Sequence, residues 1–257
     1  MTGTPAFKVP GLTALVVVHD EEAQLADCLD RLGFASELVV VLDRCTDGSK
    51  EIALRYGAKL VEGGWEREGA RRNTGIEACS GPWILEVDAD ERVPEALALE
   101  IGRLVATSSF ARHDIPVDNY VGDRLVRWGW GASFGKSAYP GLFRKGAKVW
   151  GPQRVHPKLS FTGEKGPPLA SRLDHLVDRN ISDMLRRLDR YTSANAADLR
   201  DSGDIGQYGH NIRRIFSRFY KCYVSRKGYR EGPYGFLIAL CAGLYPILSY
   251  LKARLEP

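Results

Sequence analysis

The sequence predicts an α/β protein whose sheet is mostly parallel and flanked by helices, followed by a helical C-terminal extension. Two observations lead there. Apolar β-type runs alternate with amphipathic helical segments at short spacing through the first hundred residues, the pattern of repeated βαβ units. The last fifty residues instead hold a basic stretch and then an uncharged apolar run.

The first strand is read over Leu12–Val18, apolar and β-branched as a strand buried on both faces would be. Glu21 and Glu22 open a helix that carries Leu25, Cys28, Leu29 and Leu32 on one face, with acids in the first turn where the helix dipole favours them. Glu37–Leu42 is the second strand and runs into Asp43. Thr46-Asp47-Gly48-Ser49 is a turn and cap, Lys50–Tyr56 a short helix that Gly57 stops, and Ala58–Val61 the third strand. Glu68–Ala78 is helical, Ser80-Gly81-Pro82 breaks it, Pro82–Val87 is the fourth strand, and Pro94–Val105 is a further helix. From Phe110 to about Arg172 the alternation fades into aromatics, glycines and prolines, which is read as irregular strands and loops of a substrate-binding half. Asn180–Leu199 and Tyr208–Val224 are helical again. These shifts divide the chain into a half at 1–107, a half at 108–179 and a helical extension at 180–257.

Ligands of parallel sheets bind beyond the carboxyl ends of the strands. His19-Asp20, Asp43 and Asp88-Ala89-Asp90 all fall at that edge. Paired carboxylates there are hard oxygen ligands, suited to Mg²⁺ or Mn²⁺ and, through the ion, to substrate phosphates. On residue chemistry alone other roles stay open: Asp43 as a helix cap, Arg72 as a solvated helix residue, His175 as a packing histidine.

Composition bounds the function. The chain has 257 residues, 44% hydrophobic and 26% charged, which allows a core of normal size. A net charge of +4 gives no global signal for nucleic acid, and no nucleic-acid partner is expected. The five cysteines, Cys28, Cys45, Cys79, Cys222 and Cys241, include no Cys-x-x-Cys pair, which argues for a reducing compartment. Between Asn211 and Arg230 lie seven basic residues and no acid, and Gly232–Leu251 then carries no charge, interrupted by Pro246. Basic residues beside an apolar segment suit anionic headgroups, so the segment from about Arg213 onward is expected to attach to a membrane surface without spanning it. The alternative is an apolar helix pair that caps the domain as core.

Taken in order, Asp20-Glu21-Glu22, Val40-Val41-Leu42-Asp43-Arg44-Cys45-Thr46-Asp47-Gly48-Ser49, Arg71-Arg72-Asn73-Thr74-Gly75 and Leu85-Glu86-Val87-Asp88-Ala89-Asp90-Glu91-Arg92-Val93 resemble family 2 glycosyltransferases. The likeness is greatest to the branch that adds a glucose to the inner core of lipopolysaccharide, and it extends through Leu142–Gly146, Val155-His156 and the C-terminal segments. The resemblance implies a GT-A (Rossmann-like) fold, with 1–107 as its nucleotide-sugar-binding half and 108–179 as its acceptor-binding half. It also implies inverting transfer of a sugar, a hexose such as glucose, from a nucleotide-diphosphate sugar to a lipid-linked glycan at the cytoplasmic face of the inner membrane. It places Asp20, Glu22, Asp43, Arg72, Asn73 and Asp88 at the nucleotide, and Asp90, with Asp88 and His175, at a divalent metal. An inverting transfer needs a base for the acceptor hydroxyl, and three candidates stand: His156, Glu164 and Asp174. The chain departs from the pattern at Asp20, where relatives usually carry Asn, and at Pro157, where an acid often follows the histidine. The latter leaves open a catalytically silent, membrane-bound glycan- or nucleotide-binding protein. A nucleotidyltransferase ranks lower, because His19-Asp20-Glu21-Glu22 is acidic and lacks the glycines of a phosphate loop.

Overall fold

The computed structural model describes residues 7–131, 135–153 and 157–256. They form two compact units. The first comprises described residues of 1–117, 138–153 and 157–175, and the second those of 118–137 and 176–257.

In the first unit, β1 (Val9–Val18), β2 (Ala35–Asp43), β3 (Lys59–Gly63) and β4 (Trp83–Asp88) form a parallel sheet in the order β3-β2-β1-β4. Alternate β1 residues feed two cores. Leu12, Ala14, Val16 and Val18 pack with Leu25, Leu29, Ile52, Leu97 and Ile101 of α1 (Glu22–Asp30), α2 (Ser49–Arg55) and α4 (Glu95–Thr107). Leu15 and Val17 pack with Ile76 of α3 (Glu68–Ala78). Helices therefore cover both faces, which is why the strand reads as an unbroken apolar run. The register pairs Val17 with Asp88 and Val18 with Leu42, so the acidic ends of β2 and β4 flank the end of β1.

The segment read as irregular is more regular than expected, and it makes the sheet mixed. Beyond β4 lie β8 (Ala138–Arg144) and β6 (Arg112–Val121), both in antiparallel pairings, then β11 (Leu173–Asp178) and the two-residue β5 (Glu91–Arg92). β7 (Arg124–Val126) forms a hairpin with β6 across Gly122, whose φ of 57° suits a tight turn. β9 (Lys148–Trp150) and β10 (Leu159–Phe161) pair separately. β6 alternates buried with half-buried residues along its whole length, the period-two signature of a strand with one buried face. His113, Pro116 and Asn119 within it break the apolar run on which the sequence reading relied.

The second unit is helical. α5 (Ile181–Ser202) begins where the Asn180 side chain accepts from the Asp183 amide and ends on Gly203 at φ 70°. α6 (Tyr208–Tyr220) continues through a π-helical turn, Lys221–Ser225, and a 3-10 turn, Gly228–Glu231, into α7 (Pro233–Leu255). α7 passes through Pro246 as one continuous helix, although the proline interrupts the apolar run in sequence. By length and composition it could cross a membrane, yet 56% of its apolar window is buried within the structure. Gly243 explains the close packing: a Cβ there would meet the Ile215 carbonyl oxygen of α6 at 2.8 Å. Inside the same unit Arg187 makes two hydrogen bonds to buried Asp178, at 3.0 and 2.7 Å.

Gly75 sets the approach of α3 to the sheet, because a Cβ there would lie 2.7 Å from both Leu15 and Val41 side chains. Gly75→Ala is expected to destabilise the protein by about 1–3 kcal/mol through overpacking, measured as a lowered urea midpoint with an unchanged slope.

Candidate active site

The rim begins with two loops that brace each other. The chain turns sharply after β1 and β2, with Asp20 at φ 54° and Arg44 at φ 51°. The Asp20 carboxylate accepts the Thr46 amide at 2.7 Å. Asp47 accepts the amides of Glu22 at 2.8 Å and Ser49 at 3.0 Å. Glu22 in turn accepts the Gly48 amide at 2.8 Å, and Ser49 Oγ accepts the Glu21 amide at 3.0 Å. Helices α1 and α2 thus have their first amides satisfied by the neighbouring loop. Asp20 and Glu22, expected at the nucleotide, hold the shape of the loops here. Asp20, Asp47 and Cys45 lie within 4.8 Å of one another, but both carboxylates already serve backbone amides, and burial pushes the Cys45 thiol up and keeps it protonated.

Asp43 lies buried at the end of β2. Its carboxylate accepts the Trp65 amide at 3.1 Å, Arg44 Nε at 3.1 Å and Arg71 Nη1 at 3.2 Å. Burial alone would raise its pKa. The Trp65 amide and the two guanidiniums outweigh that and hold the group below the ordinary carboxylate value.

Arg72, one residue along α3 from Arg71, is also buried. It donates to Glu68 at 2.9 Å, Glu86 at 2.7 Å and Asp88 at 2.9 Å. Glu86 stands in the middle of β4 and also accepts Lys148 Nζ at 2.8 Å. The Trp150 ring lies 4.8 Å from the Arg72 guanidinium and 4.5 Å from the Lys148 ammonium. Asn73 completes the set. Its amide donates to the Trp150 carbonyl at 2.9 Å and its carbonyl accepts the Trp150 amide at 2.9 Å. Arg72 and Asn73 are therefore placed to orient Asp88 and to fix β9, with their polar atoms spent on the protein.

After β4 the chain folds tightly. Glu91, fully buried, accepts the Asp88 amide at 2.9 Å, and Tyr139 donates its hydroxyl to the Glu86 carbonyl at 2.8 Å. β5 pairs with β11 so that Glu91 lies opposite His175. That register brings His175 Nε2 to 3.3 Å from Asp90 Oδ2, an oxygen and a nitrogen converging from residues 85 positions apart. Such a separation fits two ligands of one divalent ion, each at about 2.0–2.2 Å from it.

The base candidates separate. His156 lies outside the described residues. Glu164 is exposed, and its carbonyl accepts the Ala111 amide beside the start of β6. Because β8 runs antiparallel to both β4 and β6, β6 runs in the direction of β4 and its start lies beside the start of β4, the edge opposite Asp88, so Glu164 does not join the site. Asp174 precedes His175 in β11; successive strand residues project to opposite faces, so it does not share the direction of His175.

The sequence reading missed Glu86, Lys148, Tyr139 and Trp65. Glu86 left a signal, an acid in the middle of the apolar run Trp83-Ile84-Leu85-Glu86-Val87.

The profile of Glycosyl transferase family 2 matches residues 13–154, more than half of the chain. The protein belongs to this family. Along nearly its whole length it is similar to "Lipopolysaccharide core biosynthesis glycosyltransferase LpsC" of Rhizobium meliloti (strain 1021), 25% identical over 95% of this chain and 92% of that one. Among solved structures it resembles the mannosyltransferase PcManGT from Pyrobaculum calidifontis in complex with GDP-Man and Mn²⁺, with TM-score 0.53 and 15% identity over 100% of this chain and 90% of the other. It also matches glucosyl-3-phosphoglycerate synthase from Mycobacterium tuberculosis at 19% identity and TM-score 0.35, over 42% of this chain and 44% of that one. The fold is GT-A-like, a mixed sheet flanked by helices.

Lys148 and Arg72 hold Glu86 below its ordinary pKa even though burial pushes it up. A lowered folded pKa stabilises the protein above the ordinary glutamate value of about 4.3 and loses that contribution as pH falls through the folded value. Lys148→Met leaves a buried carboxylate short of a cation, at a cost of about 3 kcal/mol. Denaturation of both proteins across pH should show the widest gap near neutrality and a narrowing gap in acid, once Glu86 is protonated in both.

Proposed function

We propose that this family 2 glycosyltransferase moves a sugar, a hexose such as glucose, from a nucleotide-diphosphate sugar to a lipid-linked glycan such as lipopolysaccharide core, with inversion at the anomeric carbon. The observation that carries the reading is the Asp90–His175 pair at 3.3 Å, on a rim that also holds Asp43 and the Arg72-oriented Asp88. The similarity to a lipopolysaccharide core biosynthesis enzyme over almost the full chain supports the choice of acceptor.

Asp43, kept ionised, is an acceptor for N–H groups of the nucleotide base. Asp88 is an acceptor for ribose hydroxyls, held in orientation by Arg72. Asp90 and His175, with Asp88 nearby on the same turn, would hold Mg²⁺ or Mn²⁺. When bound, the ion supplies Lewis-acid neutralisation of the leaving diphosphate. With Glu164 at the other edge of the sheet, His156 is the residue we assign to take the acceptor hydroxyl proton, since neutral imidazole is a competent base near neutral pH. A lipid-linked acceptor requires work at a membrane, and the basic C-terminal unit fits the anionic cytoplasmic surface of the inner membrane.

The test is transfer by the purified protein from a panel of nucleotide sugars to a lipid-linked core acceptor, with the anomeric configuration of the product read by NMR. Asp90→Asn and His175→Ala should each weaken Mn²⁺ binding in calorimetry and lower turnover by about 10²–10³, with circular dichroism unchanged. A protein that binds nucleotide sugars but neither transfers nor hydrolyses them would be the silent binding protein instead. His156→Ala should cost roughly 10²–10⁴ in turnover at saturating donor while donor affinity is retained. Turnover within a few-fold of wild type would remove His156 as the base.

A further inference from the structure

We propose that the membrane-contacting surface of this protein is the outer face of α6 and the turns that follow it, lying in the plane of an anionic bilayer, and that the apolar helix α7 is packing. The proposal rests on the membrane placement given above and names the surface that makes it.

The face is built from two stripes. Phe216, Tyr220 and Val224 recur every fourth residue and are 70%, 60% and 42% exposed. Arg213, Ser217 and Lys221 recur at the same spacing and are exposed as well. Positions four apart on a helix stack on one side, so an apolar ridge runs beside a basic one. Two turns extend it. The Tyr223 ring meets Tyr229 at 6.4 Å and Phe236 at 6.1 Å, and both of those rings are half exposed. Trp128 has Lys227 and Arg230 within 5.3 and 5.2 Å of its ring. Aromatic rings with a polar edge, flanked by lysine and arginine, suit the headgroup level of a bilayer.

Charge selects the partner. No acid occurs between Asp204 and Glu231. The Glu231 carboxylate is buried and accepts the amides of Arg127 and Trp128 at 2.8 and 3.0 Å, so it does not face outward. A surface with several exposed large apolar side chains and only positive charge fits anionic lipid in preference to a zwitterionic surface. Between Leu237 and Ala253 every residue of α7 is buried or half-buried, and its exposed large apolar side chains are Phe236, which borders the α6 face, and Leu255 at its end.

The test is co-sedimentation of the full chain with vesicles of phosphatidylglycerol and phosphatidylethanolamine, and with vesicles of phosphatidylcholine alone. Binding is expected to the first and to be weak to the second, and to fall in 1 M salt, where screening shortens to about 3 Å. R213Q/K221Q should lower binding roughly fivefold for each charge removed, about 25-fold together. The apolar variant F216S/Y220S/V224S should abolish the salt-resistant part. Leu99→Ser, an exposed leucine of the first unit, should change nothing. Equal binding by wild type and both patch variants overturns the proposal, as does a dimer in lipid-free sedimentation that the apolar variant dissociates while vesicle binding persists. Sugar transfer to a detergent-solubilised acceptor is read in parallel. Its absence with intact vesicle binding counts against the proposed function alone, and its presence without vesicle binding counts against this surface alone.

Discussion

The first unit depends on one buried set of charges. Arg72 joins Glu68, Glu86 and Asp88, and Glu86 in turn holds Lys148. Ions buried without partners are expensive, so each group tolerates burial only because the others are in place. The set ties the middle of α3 to the neighbouring β4, and both to β9, where Lys148 lies 62 positions from Glu86. Once α3 is pinned, the residues on either side of Arg72 have fixed tasks. Arg71 reaches Asp43, and Asn73 closes on the backbone of Trp150. Three consecutive side chains thus serve the carboxylate that ends β2, the carboxylate that ends β4 and the backbone of β9.

The same economy explains the rim loops. A carboxylate at the end of a strand can turn outward to a ligand or inward to backbone amides that would otherwise be unsatisfied. Asp20, Glu22 and Asp47 turn inward and knit two loops together. Asp43 is anchored by three donors that keep its charge at the end of β2. Asp88 and Asp90 remain partly exposed on the turn after β4. The rim therefore separates into groups that build the loops and groups that face outward, and residue type does not distinguish the two.

That limit marks what the sequence could convey. β1 and β4 were legible because burial on both faces leaves a mostly apolar run, broken in the middle of β4 by Glu86, and the acids that end β2 and β4 followed from it. β6 was not, because one-sided burial alternates and Pro116 interrupts it, and β8 was not, because Pro140 and Gly141 interrupt a run of only seven residues. The pairing of Asp90 with His175 was carried by the family resemblance and not by spacing. It exists only because β11 returns to pair with β5, a contact that no local pattern announces. Lys148 read as one more cation in an irregular stretch, although it is the most deeply buried charge partner of Glu86.

The C-terminal unit shows the same ambiguity in apolar residues. An uncharged run of twenty residues is equally the composition of a lipid-facing helix and of a helix wedged between two others. Small residues separate the two cases. Gly235 and Gly243 admit neighbouring backbone to distances that a side chain would block, 1.8 Å from the Gly228 carbonyl and 2.8 Å from that of Ile215 for an added Cβ. Close approach of this kind takes part of the apolar surface of α7 into helix packing, and the helix continues through Pro246. The exposed aromatics are left to α6, whose many arginines make it look polar by composition. Hydrophobicity summed along the chain singles out α7, whereas exposure residue by residue singles out the outer face of α6.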